Sequence, residues 1–154
     1  MARNDHARPL SPRGIKAGLR MGHWLTEEQL LPDRVLCSTA KRARETFKLS
    51  TQLWDETPAV QIEEKLYLAD VPNLLQVIRA HGKKSKRVMV IGHNPGLAEL
   101  AVNLTDDGTP DTREAIGKFP TGAIAHLICN IEAWSDLGPG VATLQTFMRP
   151  RALG

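Results

Sequence analysis

Apolar residues in four stretches of the chain recur every three or four positions, which is the spacing of one face of an α-helix. These stretches predict helices over residues 12 to about 28, 40 to about 54, 71–79 and 95 to about 104. Ser11 is the expected N-cap of the first helix, with Pro12 at its first position. The expected apolar faces of the first two helices consist of Ile15, Leu19, Gly22 and Leu25, and of Ala43, Phe47 and Leu53.

Short apolar runs between these helices predict β-strands. They lie at residues 34–38, 59–62, 88–91, 122–129 and 141–147. The run at 88–91 is the strongest of them and is expected to be buried, while 106–111 reads as a polar loop and Gly138–Gly140 as a turn. Helices and strands therefore alternate until the last two strands, which follow one another directly.

This order predicts an α/β fold. We expect a three-layer α/β/α sandwich with a mostly parallel central sheet and a C-terminal antiparallel hairpin. The chain of 154 residues fits a single domain, and neither an internal repeat nor a linker interrupts it.

Charge and composition narrow the classes of partner. The net charge of +3 is spread over 20 basic and 17 acidic residues, which argues against nucleic acid and suits a small anionic substrate. Cys37 and Cys129 stand in apolar runs and are expected to be buried thiols rather than a disulfide. The sequence shows neither a membrane span nor a signal peptide, so we expect a cytoplasmic protein.

The candidate chemistry begins where the strand at 88–91 ends. Gly92-His93-Asn94-Pro95-Gly96 places His93 at the carboxyl edge of the sheet, where open α/β folds bind their ligands. The following helix offers free N–H groups and a partial positive charge to an anion. A hydrogen-bonded turn histidine is the structural alternative, and capping the helix is the expected role of Asn94.

A second strand-to-helix junction carries Arg42 within Ser38-Thr-Ala-Lys-Arg-Ala-Arg44. Arg42 can reach the same edge as His93 and hold a phosphate through its two-pronged guanidinium. Arg44 is the competing arginine and projects from a different face of the helix. An exposed helix arginine is the structural alternative for Arg42.

Together these segments resemble the histidine phosphatase superfamily, and most closely its small SixA-like phosphohistidine phosphatases. The matching segments, in order, are Arg8-Pro-Leu-Ser-Pro-Arg-Gly14, Val35-Leu-Cys-Ser-Thr-Ala-Lys-Arg-Ala-Arg-Glu-Thr46, Leu66-Tyr-Leu68, Val90-Ile-Gly-His-Asn-Pro-Gly-Leu97 and Lys118-Phe-Pro-Thr-Gly122. The resemblance implies a phosphoglycerate-mutase-like fold and catalysis without cofactor or metal. It also implies that Arg42, His93 and Asn94 bind phosphate, with Arg42 and His93 catalytic.

The family's nucleophile is a histidine in an Arg-His pair at the end of its first strand, and this sequence has no such pair. We therefore expect the sequence to be a truncated or late-start version of a longer enzyme. His6 has no strand before it and His23 lies within a predicted helix, so neither is expected to replace the nucleophile.

The resemblance favours a phosphatase that acts on phosphohistidine in a protein partner. A phosphatase of small phosphate esters is an alternative, for which Glu63 or Glu64 would be the candidate general acid. A non-catalytic phosphate-binding or regulatory protein is the other alternative. His81 and His126 are expected to be structural.

Overall fold

The computed structural model describes residues 2–105 and 110–153. Its helices are α1 (Ala2–His6), α2 (Pro12–Glu27), α3 (Lys41–Thr51), α4 (Val71–His81), α5 (Gly96–Leu104) and α6 (Pro110–Gly117). Its strands are β1 (Arg34–Ser38), β2 (Ala59–Glu63), β3 (Val88–Ile91), β4 (Ile124–Cys129) and β5 (Ala142–Met148). Short 3₁₀ turns lie at Glu64–Leu66, Trp134–Asp136 and Pro150–Leu153.

The central sheet is parallel, with strand order β2-β1-β3. β4 and β5 pair antiparallel in a separate two-stranded sheet. Alternate residues of β1 point to opposite faces: Leu36 packs in a cluster with residues of α4 and α5, whereas Val35 and Cys37 pack with Ala43 of α3. Helices therefore cover both faces of the sheet, and the predicted α/β sandwich class is confirmed.

Helices α2 to α5 begin and end within about three residues of the predicted bounds, and Ser11 caps α2 by accepting the amide of Gly14 at 3.1 Å. Helix α6 was not predicted, and the polar loop expected over 106–111 is wrong at its last two positions. Residues 106–109 lie outside the described residues. Ile116 of α6 is fully buried. The helix is mostly polar and has only a short apolar face, so the apolar spacing of the sequence did not predict it. None of the described helices is long and apolar enough to cross a membrane.

The buried face of α2 agrees with the predicted one at Gly22 and Leu25 and differs from it at Ile15 and Leu19. Ile15 and Leu19 are about two-fifths exposed, while Gly18 and Gly22 are buried against α3. A Cβ atom at Gly22 would collide with the backbone of Ser50, so glycine allows the two helices to approach closely. The expected face of α3 is also wrong at Leu53, which follows the helix and is 70% exposed.

Strand β3 is less buried than predicted, and the reason is its place in the sheet. Only Ile91 is buried, and the other three residues are half-buried. β1 pairs with one edge of β3, and no strand in the described ranges pairs with the other edge. A cavity of about 1090 Å³ is lined by both β3 and β4 and continues to Arg42 and His93. We call this cavity the β3–β4 cleft.

The two cysteines are free thiols. Cys37 lies in β1 with no exposed surface, and burial raises the pKa of its thiol to about 12. Cys129 is only half-buried, at the end of β4, and burial raises the pKa of its thiol as well. The expected burial is therefore complete for Cys37 and partial for Cys129.

Candidate phosphate site

Arg42 and His93 lie side by side at the carboxyl edge of the central sheet. Arg42 is in the first turn of α3, directly after β1, and His93 follows β3 by two residues. The Arg42 Nη2 atom is 3.3 Å from the His93 Nδ1 atom. Because a guanidinium has only donors, Nδ1 must accept and the ring proton must be on Nε2. That nitrogen donates to the Ser38 Oγ atom at 2.8 Å.

His93 is held in its neutral form. Burial and the neighbouring Arg42 guanidinium lower the pKa of its imidazole to about 4, in that order of importance. At neutral pH the ring therefore carries one proton, on the nitrogen that faces Ser38. A dianion placed beside the ring would favour the charged form and raise the His93 pKa.

The Arg42 guanidinium also binds Asp5, a residue 37 positions away. Its Nη1 atom donates to the Asp5 carbonyl oxygen at 2.7 Å, and Nη2 donates to Asp5 Oδ2 at 3.1 Å. The Tyr67 hydroxyl donates to the same Oδ2 atom at 2.5 Å, and Arg8 Nη2 lies 3.3 Å from Oδ1. The hydrogen bond from Tyr67, followed by Arg42, lowers the pKa of the Asp5 carboxyl to about 2.

Tyr67, Asp5 and His6 were not predicted as site residues. Tyr67 stands in the Leu66–Leu68 segment that carried the resemblance, and this was the one signal that pointed to it. His6 Nε2 is 2.8 Å from Thr39 Oγ1, and its ring meets the Tyr67 ring edge to face at 4.7 Å. The Tyr67 ring meets His93 in the same way at 5.4 Å. Packing between distant segments brings these three residues to the site.

Asn94 and Arg44 use their side chains on the protein backbone. Asn94 is exposed; its amide group donates to the Phe119 carbonyl at 2.8 Å and its oxygen accepts the amide of Ala98 in α5 at 3.3 Å. Arg44 is exposed and donates to the Thr39 carbonyl at 3.0 Å. Of the two candidate arginines, Arg42 is therefore the one that contacts His93.

The remaining candidates lie apart from these contacts. Glu63 is 3.6 Å from His81 Nε2, and Glu64 is exposed at the start of a 3₁₀ turn. His23 is exposed on α2 beside Glu27, and the partly buried His126 has a lowered pKa because of burial. Within residues 2–105 and 110–153, no group of three His, Cys, Asp or Glu side chains is placed to hold a metal ion.

The geometry suits anionic oxygen atoms. The Arg42 guanidinium, the Tyr67 hydroxyl and the Arg8 guanidinium converge on the Asp5 carboxylate, beside a neutral imidazole. Charge-assisted hydrogen bonds of this kind bind carboxylates and phosphates alike.

Comparisons with known proteins identify relatives of this chain by sequence and by fold. No protein-family model matches the chain. An uncharacterized protein of Mycobacterium tuberculosis is 37% identical over 150 residues, covering 96% of this chain and 92% of the relative. A "Phosphohistidine phosphatase SixA homolog" of Haemophilus influenzae is 29% identical over 125 residues, covering 71% of this chain and 73% of the relative.

Two solved structures share the fold over most of their length. A chain named "Putative Phosphohistidine Phosphatase SixA", from Nakamurella multipartitia, superposes with a TM-score of 0.84 and 29% identity, covering 95% of this chain and 87% of that one. The protein histidine phosphatase SixA complexed with tungstate superposes with a TM-score of 0.78 and 26% identity, covering 97% and 89%. The chain therefore belongs to the histidine phosphatase superfamily, as a SixA-like member.

Proposed function

We propose that this protein hydrolyses phosphohistidine on a partner protein, without a metal ion, and that Arg42 and His93 bind the phosphoryl group. The observation that carries the proposal is the contact between Arg42 and His93 around an anion-binding position at the sheet edge. The Asp5 carboxylate marks that position. The SixA structure with tungstate, a tetrahedral oxyanion like phosphate, belongs to a protein of the same fold.

Arg42 and His93 contribute to the reaction through charge and position. The Arg42 guanidinium donates to the phosphoryl oxygens in place of the Asp5 carboxylate and stabilises the charge that these oxygens carry during transfer. When a phosphoryl dianion approaches, the His93 pKa rises, so His93 adds positive charge where it is needed. Asn94, which the resemblance also assigns to phosphate, stays a prediction.

The reaction needs a nucleophile, and the resemblance assigns this role to a histidine in an Arg-His pair at the end of the family's first strand, a pair that this sequence lacks. We propose that this strand lies in the β3–β4 cleft. No strand of the described residues pairs with the outer edge of β3, and the apolar residues of β3 and β4 line the cleft. A strand parallel to β3 would end beside Arg42 and His93.

In the proposed reaction, the imidazole nitrogen of this histidine attacks phosphorus and forms a new P–N bond. The P–N bond to the partner's histidine breaks, its electron pair stays on that imidazole, and the nitrogen takes up a proton. Water then attacks the phosphoryl group, which leaves as inorganic phosphate and frees the nucleophile.

Among the described residues, neither Asp5 nor Glu63 is suited to protonate an alkoxide leaving group, which favours phosphohistidine over small phosphate esters. Asp5, the carboxyl group at the anion position, has a pKa of about 2 and is ionised at neutral pH. Glu63 contacts His81. An imidazole leaves more easily than an alkoxide, so the reaction on phosphohistidine needs less help from a general acid.

The two free thiols support a cytoplasmic location.

Calorimetry of tungstate binding to the 154-residue chain tests the anion site. Arg42→Ala should weaken binding at least about tenfold, since it removes charge-assisted hydrogen bonds. Arg44→Ala is the matched control, because it removes the same charge two residues away without touching the site, and it should leave binding unchanged. Equal effects of the two substitutions would contradict the assignment of Arg42.

Turnover tests the reaction. Two proteins are compared: the 154-residue chain and the same chain extended by the residues encoded directly upstream. Each is incubated with a phosphohistidine protein and with p-nitrophenyl phosphate. We expect phosphate release from the first substrate by the extended chain, with acid-labile phosphate on its added histidine. Labelling of His6 would show instead that the nucleophile lies within the 154-residue sequence. Faster release from p-nitrophenyl phosphate would favour the esterase, and no label on either chain would favour a non-catalytic protein.

A further inference from the structure

The Asp5 carboxylate makes the same kind of contacts that a phosphate group would make. Its Oδ2 atom accepts hydrogen bonds from Tyr67 and Arg42, and its Oδ1 atom faces Arg8. Two donors from distant segments, Arg42 and Tyr67, therefore converge on one anionic group, together with the neighbouring Arg8. Asp5 itself is part of α1, a helix of five residues, and its side chain is about one-third exposed.

Tyr67 is fixed in this position by its surroundings. Its ring lies edge to face against His6 on one side and His93 on the other. Its amide donates to the Glu64 carbonyl at 3.0 Å, and Leu68, the next residue, has a left-handed backbone with φ of +51°. Residues other than glycine adopt this conformation rarely, so the sharp turn after Tyr67 is held by its contacts. The hydroxyl therefore points at the anion position before any ligand arrives.

From these contacts we infer that Tyr67 is a third donor to the bound oxyanion, beside Arg42, and that the Asp5 carboxylate occupies the place of the ligand's oxygens until it is displaced. This inference rests on the proposed function only in taking the ligand to be a phosphoryl group. A tetrahedral oxyanion and a carboxylate both present anionic oxygens that a guanidinium and a phenol hydroxyl can bind. The partial exposure of Asp5 leaves it a path into solvent when it is displaced.

This arrangement has a consequence for affinity. A ligand must compete with Asp5, so its apparent affinity is lowered by the fraction of molecules in which the carboxylate holds the site. The Asp5 carboxyl remains ionised at neutral pH, so at this pH it competes with the ligand for Arg42 and Tyr67. The same carboxylate raises the pKa of the Tyr67 hydroxyl, mainly through their hydrogen bond.

Tungstate binding tests the inference in three variants. Asp5→Ala should bind tungstate about tenfold more tightly than the native chain, because the competing carboxylate is gone. Asp55→Ala is the matched control: it removes the same charge at an exposed position beyond the far end of α3, and its affinity should match the native chain. Adding Tyr67→Phe to Asp5→Ala should weaken binding again about tenfold, the effect of one hydrogen bond to a charged group.

Tyr67 is the only tyrosine of the chain, so phenolate absorbance reports on this residue alone. The groups that face its hydroxyl are Asp5 and Arg42, and the rings of His6 and His93 flank its own. In Asp5→Ala the pKa of Tyr67 should fall, and saturating tungstate should raise it again. A change of fold alone would not produce this reversal.

The outcomes separate this inference from the proposed function. If Arg42→Ala abolishes tungstate binding while Asp5→Ala and the added Tyr67→Phe change nothing, the anion site stands and the inference is wrong. If Arg42→Ala also has no effect, the proposed site itself fails. If Asp5→Ala weakens binding, Asp5 supports the site instead of competing for it, and the inference is overturned.

Discussion

Ser38→Ala removes the group that orients His93. Ser38 ends β1 with no exposed surface, and its Oγ atom accepts two hydrogen bonds. One comes from His93 Nε2 at 2.8 Å and the other from the amide of Ala40 at 3.2 Å. Alanine fits the same space, so the perturbation is the loss of an acceptor rather than a change of packing.

The size of the effect follows from the two donors left behind. A buried donor without a partner costs about 1–3 kcal/mol. Ala40 is fully buried and His93 is half-buried, so water can replace part of the second bond. We therefore expect Ser38→Ala to lower the free energy of unfolding by about 2–4 kcal/mol. In a chain of this length that corresponds to a fall in Tm of about 4–16 °C.

Ser50→Ala is the matched control. Ser50 is also buried, but its hydroxyl makes a single hydrogen bond, to the Gly18 carbonyl at 3.3 Å, and it lies away from the site. Its loss should cost about 0.5–1.5 kcal/mol. Thermal unfolding compares the two variants, and calorimetry with tungstate should show weaker binding, by about fivefold, for Ser38→Ala alone. Equal stability and equal tungstate affinity of the two variants would refute the role of Ser38.

Three further predictions concern a titration, a helix contact and a thiol. His93 should titrate by NMR with a pKa of about 4, below the value of 6.5 for a free imidazole. Because the unfolded chain then binds the proton more readily, the stability that neutral His93 contributes is complete above about pH 6.5 and is lost as the pH falls towards 4. His93→Gln should reduce this loss of stability at low pH. A His93 pKa at or above 6.5 would contradict the burial argument. Gly22→Ala should lower the free energy of unfolding by about 1–3 kcal/mol, because its Cβ would collide with the Ser50 backbone, whereas Gly117→Ala, where a Cβ meets nothing within 4 Å, should not; thermal unfolding distinguishes them. Cys37 should resist a thiol reagent until the protein unfolds, and rapid labelling of Cys37 in the native state, located by peptide mass, would show that β1 is accessible.

Part of the candidate site could be predicted from the sequence because it depends on chain order. Arg42 and His93 each follow a parallel strand, and the carboxyl ends of parallel strands meet at one edge of a sheet. Arg44 could be distinguished from Arg42 because residues two positions apart project from different faces of a helix. Asp5 and Tyr67 could not be found in this way, because 62 residues separate them and only the packing of α1 against the turn after β2 brings them together.

The sequence by itself determined the helices α2 to α5, the positions of all five strands and the family, since spacing, caps and motifs are local properties. Tertiary structure decided which faces are buried. Gly18 joins the predicted Gly22 at the contact with α3, while Ile15 and Leu19 stay about two-fifths exposed, because two backbones approach most closely where side chains are absent. It also left one edge of β3 without a partner strand among the described residues, and it placed the Asp5 carboxylate against Arg42 and Tyr67. A local pattern records how apolar each position is, whereas the partner that meets it depends on residues far away along the chain.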